Sequence, residues 1–285
     1  MDKDKLAIEI RQCFQNGDAK LPVLPEAVMK VQKVVNDDSK GAQDITMIIG
    51  SDSTFSTTVL RIANSAHYNS SGNEIRNLSI AVQRLGGRTT LQLLMAISSQ
   101  LHMAVKDPSL QLILRQGSKH SLRLATAAQH LARLLGSVNP EEAFLAGMLV
   151  DVGIAAIICA VPEKIKQCNA DDQHDILMQL HREMGGRLLT FWNMPDPYIS
   201  LATHHGVEAD DRPRSNLIDL IDTTQFLLYT MGHETPFDEF PEDTDVMHYP
   251  PLKRLGVSAT HMAAMEIDME DGLEEMEEIF SSLGH

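Results

Sequence analysis

The chain is short of cysteine, of aromatic residues and of positive charge. Its three cysteines, Cys13, Cys159 and Cys168, are an odd number without Cys-x-x-Cys spacing. Neither a zinc ribbon nor a disulfide framework is indicated, and a reducing cytoplasm is the expected compartment. Lys and Arg number 24 against 39 Asp and Glu, a formal net charge of −15. That excess disfavours nucleic acid and anionic membrane as partners, because phosphate binding draws its affinity from basic side chains that release counterions. Met1 to Arg11 alternates charged and apolar residues and lacks a secretory h-region, and the longest apolar run, Val152 to Val161, is too short to span a bilayer. No alternating β-branched run is long enough for a strand, so the expected class is all-α and soluble.

What the chain has is helical periodicity in nearly every segment. From Pro25 to Asp37, Val28, Val31 and Val35 share one face after a proline suited to a first helical turn. Asp44 and Asp52 each precede an apolar-periodic run and read as N-caps, whereas Gly86-Gly87 and Gly136 read as helix stops. Asn139-Pro140-Glu141-Glu142 is a strong helix start: a capping side chain, a proline, then acids facing the helix dipole. That helix is expected to carry Asp151 near its middle. The division that follows is an N-terminal helical lobe over 1–109, a second helical lobe over 110–232, and a connector with a final helix over 233–285. Phe237, Phe240 and Tyr249 are expected to pack the connector onto the body. In the final helix Met262, Met265, Met269, Leu273, Met276 and Phe280 form one apolar stripe opposite an acidic face. Docking on its own domain is the simplest use of that stripe; oligomerisation or capture of a basic partner are alternatives.

Two sets of residues carry a family resemblance. Around Leu149-Val150-Asp151-Val152-Gly153 the chain resembles the HD superfamily of metal-dependent phosphohydrolases, in which adjacent His and Asp bind metal, with a first His upstream and a closing Asp downstream. Here Val150 stands in place of the histidine and Ile154 in place of a usual Lys. The upstream candidate is His120 and the closing candidate Asp222, with His181, His204 and His205 between them. In the N-terminal half, Leu21-Pro22-Val23-Leu24-Pro25, then Asn64-Ser65-Ala66-His67-Tyr68 and Ile80 to Gly86, is similar to the HDOD domain, an HD-related module of bacterial signalling proteins. The resemblance implies an N-terminal helical lobe followed by an HD-like lobe, with a degenerate metal site.

For the candidate residues His120, Asp151, His181, His204, His205 and Asp222, the chemistry leaves two readings. They could hold one divalent transition metal (Fe, Mn, Ni or Zn), since imidazole and carboxylate suit such ions. They could instead form a buried hydrogen-bonded cluster. Adjacent helical residues diverge by about 100°, so His204 and His205 can join one cluster only where a helix ends or bends. Loss of the histidine at 150 and the lysine at 154 argues against hydrolysis. The expected function is a regulatory module that binds a signalling partner protein or a small ligand without turnover. The alternative is a phosphohydrolase acting on a nucleotide or cyclic dinucleotide. Gly86-Gly87-Arg88-Thr89-Thr90 could cradle an anion at a helix start, though glycine pairs usually just make turns.

Overall fold

A computed structural model describes residues 3–265, apart from 20, 66, 67, 70, 71, 102–104, 208–211, 238, 239 and 241–245. Among the described residues there are fourteen α-helices and no strand, as the periodicity predicts. The described residues form two compact units. One is residues 23–102; the other joins the N-terminal 22 residues to the segment from 105 onward.

The unit over 23–102 contains α2 (Glu26–Val35), α3 (Ala42–Ile49), α4 (Ser53–Asn64), α5 (Leu78–Leu85) and α6 (Gly87–Leu101). Val28, Val31, Ile45, Ile49, Phe55, Val59, Ile62, Val82, Leu93, Leu94 and Ile97 make its core. Asp52 caps α4 as expected, accepting from the backbone N–H groups of Thr54 and Phe55. Asp44 does not occupy the cap. The helix starts one turn earlier behind Gly41, and the Asp44 carboxylate reaches back to accept the Gly41 N–H at 3.0 Å. Gly86 closes α5 at φ +81°, and α6 begins at once with Gly87. Within the Asn-Ser-Ala-His-Tyr motif, Asn64 takes the place of a missing strand partner: its side chain donates to the Ile75 carbonyl at 2.8 Å and accepts the Ile75 N–H at 2.7 Å. Asn69 does the same for the Asn73 carbonyl and receives Arg84. Ala66 and His67 lie outside the described residues.

The other unit begins with α1 (Lys3–Asn16), expected in the N-terminal lobe but packed instead with α9 (Val152–Ala160) and α11 (Ala170–Phe191). Leu6, Ala7 and Ile10 enter an apolar cluster with Ile154, Ile157, Ile158, Leu177, Leu180 and Met184. Lys3–Asp175, Arg11–Glu183 and Lys164–Glu9 pairs rim the contact. Exposed pairs of this kind contribute about 0–1 kcal/mol each, against about 1.5–3 kcal/mol for a buried Leu or Ile, so the apolar stripe docks the helix.

The centre of this unit is a hairpin of α7 (Pro108–Leu135) and α8 (Pro140–Leu149). Gly136 closes α7 in the left-handed conformation at φ +65°, and Asn139 caps α8 by accepting from Glu141 and Glu142 N–H. A Cβ on Gly147 would lie 2.5 Å from the Ala125 Cα, so the two helices meet backbone to backbone. The helix after Asn139 stops at Leu149; Val150 and Asp151 form a turn, and α9 resumes the direction of burial. Asp151 therefore sits at a break, not mid-helix. The whole stretch Pro140–Ala160 is long and apolar enough to cross a membrane by composition, but 83% of its most apolar window is buried inside the fold. It is the core of the unit.

The remaining elements are α10 (Pro162–Ile165), α12 (Asp196–His204), α13 (Asn216–Thr230) and α14 (Pro250–Leu255), with residues 259–265 also helical. Trp192 plugs the end of α11, donating its indole N–H to the Pro22 carbonyl at 2.8 Å. The connector after α13 is anchored by the aromatics expected to hold it. Phe237 is buried beside Gly117, and Tyr249 stacks on Phe226 with ring centroids 4.2 Å apart. Of the C-terminal apolar stripe, Met262 and Met265 are described; Met269, Leu273, Met276, Phe280 and the acidic face from Glu266 lie outside the described residues.

Candidate metal centre

Four of the six candidate side chains converge in the second unit, and small residues bring them together. Gly153 lies so close to α11 that a Cβ there would fall 1.8 Å from the His181 carbonyl oxygen. A Cβ on Gly185 would meet the Ala202 methyl group at 3.4 Å and one on Gly186 the Thr203 hydroxyl at 2.5 Å, so their absence seats α12 on α11. Without side chains at these contacts the helices carrying Asp151, His181 and His205 approach to backbone distance.

Asp151 is the hub. Its Oδ1 lies 3.4 Å from His205 Nε2 and 4.0 Å from His181 Nε2, and its Oδ2 lies 3.7 Å from His120 Nε2. All four side chains are 0–2% exposed. Neither Asp151 oxygen accepts a well-aligned hydrogen bond, His205 Nε2 at 3.4 Å being the nearest of the three imidazole nitrogens. Burial by itself raises the Asp151 carboxyl, but the surrounding imidazoles, His205 foremost, outweigh it and hold the group at about 2. The carboxylate is ionised.

The tautomers follow from the acceptors. His181 Nδ1 lies 2.9 Å from the Met178 carbonyl and 3.2 Å from that of Leu177, and His205 Nδ1 lies 3.2 Å from the Leu201 carbonyl. A carbonyl only accepts, so both Nδ1 atoms carry hydrogen, and in a neutral ring the Nε2 atom then presents a lone pair. These Nε2 atoms face each other at 3.1 Å. Burial, reinforced by His205, pushes His181 down to about 4, so it is neutral near pH 7. Either a proton shared between the two Nε2 atoms or a cation among the three groups satisfies this contact beside the buried carboxylate. The arrangement is that of a chelate, each imidazole oriented through its other nitrogen in the way metal-bound histidines are. Asp151, His181 and His205 form the group of ligand atoms lying within 4.8 Å of one another. The residues present fit a divalent transition metal.

His120 stands on the other carboxylate oxygen, its pKa lowered by burial. His204 and Asp222 do not join it. His204 Nδ1 is bonded to the Ser200 carbonyl at 2.8 Å on a half-buried face, while the extended backbone at His205 (φ −60°, ψ 149°) turns that neighbour inward. Asp222 accepts the Gly206 N–H at 2.9 Å through Oδ1 and pairs with Arg212 at 2.7 Å through Oδ2. Burial raises its carboxyl, opposed by Arg212 and the Gly206 N–H. Val150 is fully buried and Ile154 belongs to the apolar cluster, so neither offers a ligand or a cation. Arg182 and Arg212 were not singled out by sequence reasoning; Arg182 directly follows His181 and donates to the His205 carbonyl at 2.8 Å.

Fold and site together define an all-helical protein with a buried His/Asp group of metal-ligand type. The HDOD domain family matches residues 21–207, well over half of the chain, and the chain belongs to that family. Its fold is shared with a crystal structure described as a putative metal-dependent phosphohydrolase from Shewanella amazonensis (18% identity, TM-score 0.78, covering 98% of this chain and 99% of that one). It is shared also with an HDOD domain protein of unknown function from Geobacter sulfurreducens (19%, TM-score 0.67, 99% of each chain). A putative signal transduction protein from Marinobacter aquaeolei is similar over 93% of this chain and 60% of its own (17%, TM-score 0.62). An uncharacterised protein of Treponema pallidum is 24% identical over 233 residues, 78% of this chain and 44% of that protein. The chain thus spans less than half the length of this curated relative.

Proposed function

We propose that the protein is a regulatory HDOD module of a bacterial, cytoplasmic signalling system. It acts by binding a partner protein or small ligand, and its His/Asp group holds one divalent transition metal as a structural element. The observation that carries this reading is the combination of a ligand-type group with near-complete burial: His120, Asp151, His181 and His205 leave no face open to a phosphoester. A catalytic metal keeps an open coordination position, whereas a structural one is closed by protein. Asp151, His181 and His205 are the residues to hold the ion, with His120 beside the second carboxylate oxygen. A bound cation would supply positive charge beside the ionised Asp151 and between the facing Nε2 atoms. The chain supplies orientation: carbonyls of Leu177, Met178 and Leu201 fix both imidazoles, and Gly153 admits the close helix contact. Where hydrolytic members of the HD superfamily are expected to carry His and Lys, Val150 and Ile154 provide apolar packing.

Elemental analysis of chelator-treated and then metal-reloaded protein tests this, beside Asp151→Ala and a phosphodiesterase assay on a nitrophenyl phosphodiester and a cyclic dinucleotide. The expected result is close to one Zn, Mn, Fe or Ni per chain, lost in Asp151→Ala, with no turnover. Turnover that tracks metal loading and vanishes in Asp151→Ala would establish the phosphohydrolase instead.

A further inference from the structure

Asp222 is a carboxylate of metal-ligand type on α13, 1% exposed, yet both its oxygens are already engaged. Arg212, whose side chain is 3% exposed, bridges Asp222 at 2.7 Å and Asp219 at 2.8 Å and donates to the Val207 carbonyl at 3.0 Å. Asp219 and Asp222, three residues apart, lie on one face of the helix. Arg254 from α14 closes Asp219 with two bonds of 2.7 and 2.9 Å. Two carboxylates and two guanidiniums thus neutralise each other inside the fold, a network expensive to break because removing one member strands a buried charge. The free end of this network is the Asp222 Oδ1 to Gly206 N–H bond. Gly206, at φ +65°, is the peptide immediately after His205. Arg182 holds the carbonyl oxygen of that same peptide, and the Leu201 carbonyl holds the ring.

We propose that Asp222 and Arg212 are a positioning pair for His205, fixing the backbone that turns its Nε2 toward Asp151 and His181, and that Asp222 is not itself a ligand. The consequence is a centre built for a single ion, since the second buried carboxylate is held by a guanidinium. The inference rests on reading the Asp151, His181 and His205 group as the metal-competent centre, and its test separates the two.

Nitrogen-15 NMR of the imidazoles in metal-free protein, followed over pH to where the His205 ring is neutral, reports which of its nitrogens carries hydrogen, independently of any metal. Wild type and Asp222→Asn, which keeps an acceptor for the Gly206 N–H, should both show the Nδ1–H form; Asp222→Ala should show mixed tautomers. In zinc titrations, Asp222→Asn should stay within about tenfold of wild type and Asp222→Ala should weaken binding about 10–100-fold, the usual cost of losing a residue that orients a ligand. Asp151→Asn should abolish stoichiometric binding. Asp222→Asn as damaging as Asp151→Asn would make Asp222 a ligand and overturn the proposal. So would an Asp222→Ala protein with unchanged His205 tautomer. If wild type takes up no zinc, the metal reading fails and the tautomer comparison still decides the positioning role. Should Asp222→Ala not fold, Arg212→Gln carries the same comparison, with mixed tautomers supporting the proposal and an unchanged Nδ1–H form overturning it.

Discussion

At His181 burial works against protonation, and this gives the fold an acid-sensitive side chain. The ring is held at about 4 in the folded protein, against an ordinary value of 6.5 in the unfolded chain. Between those values the unfolded state binds the proton and the folded state does not, so stability is complete above pH 6.5 and falls as pH drops toward 4. The full window corresponds to roughly 3 kcal/mol at 1.36 kcal/mol per pH unit. Denaturant unfolding of metal-free protein at pH 7.5, 5.5 and 4.5 should show this loss, and His181→Gln should flatten it; an equal slope in both proteins would remove His181 as the cause. The types of residue at this centre were legible in the sequence, because His and Asp recurring on separate helices restrict the chemistry. Their selection was not. Whether His204 or His205 points inward depends on the backbone at the end of α12, and Asp222 could not be separated from a ligand until Arg212 and the Gly206 N–H were seen on its oxygens.

Elements meet here through glycine, and the strictest meeting is α9 on α11. Gly153→Ala would drive a methyl group to 1.8 Å from the His181 carbonyl, which no side-chain adjustment relieves because the obstacle is backbone. Overpacking usually costs about 1–3 kcal/mol, and this contact belongs at or beyond the top of that range. The same shift moves His181, so metal uptake should fall along with the melting temperature. Gly136→Ala offers the control: it meets nothing within 4 Å and carries only the left-handed strain of φ +65°, about 1–2 kcal/mol, with metal uptake unchanged. Thermal melts with zinc quantification on both variants check the contrast, and equal losses of zinc would refute it. Helix starts and stops were readable from Asn139, Asp52 and Gly136 because caps are local chemistry. The break at Val150-Asp151 was not, since an apolar run buried on all sides has no phase to lose. Nor could the stripe on α1 say which neighbour would cover it.

For the whole molecule, the family match spans residues from both compact units, whereas every residue of the His/Asp group belongs to one of them. Ligand binding stabilises only what it binds, by about 2.7 kcal/mol when free metal is a hundredfold above its dissociation constant. For domains of 150–250 residues each kcal/mol moves the midpoint by about 2–4 °C. Saturating zinc or manganese should therefore raise the melting transition of the unit carrying His120, Asp151, His181 and His205 by roughly 5–10 °C, leaving the residue 23–102 unit where it was if the two unfold separately. Calorimetry of wild type with and without metal, and of Asp151→Asn as reference, distinguishes the cases. One shifted transition places the metal in the His/Asp unit, and a single joint transition that shifts whole makes the two units one cooperative body. No shift in wild type, under conditions where the reloaded protein retains metal, would mean that the ion sits on a surface that folding does not depend on, and the structural role argued for it would be wrong.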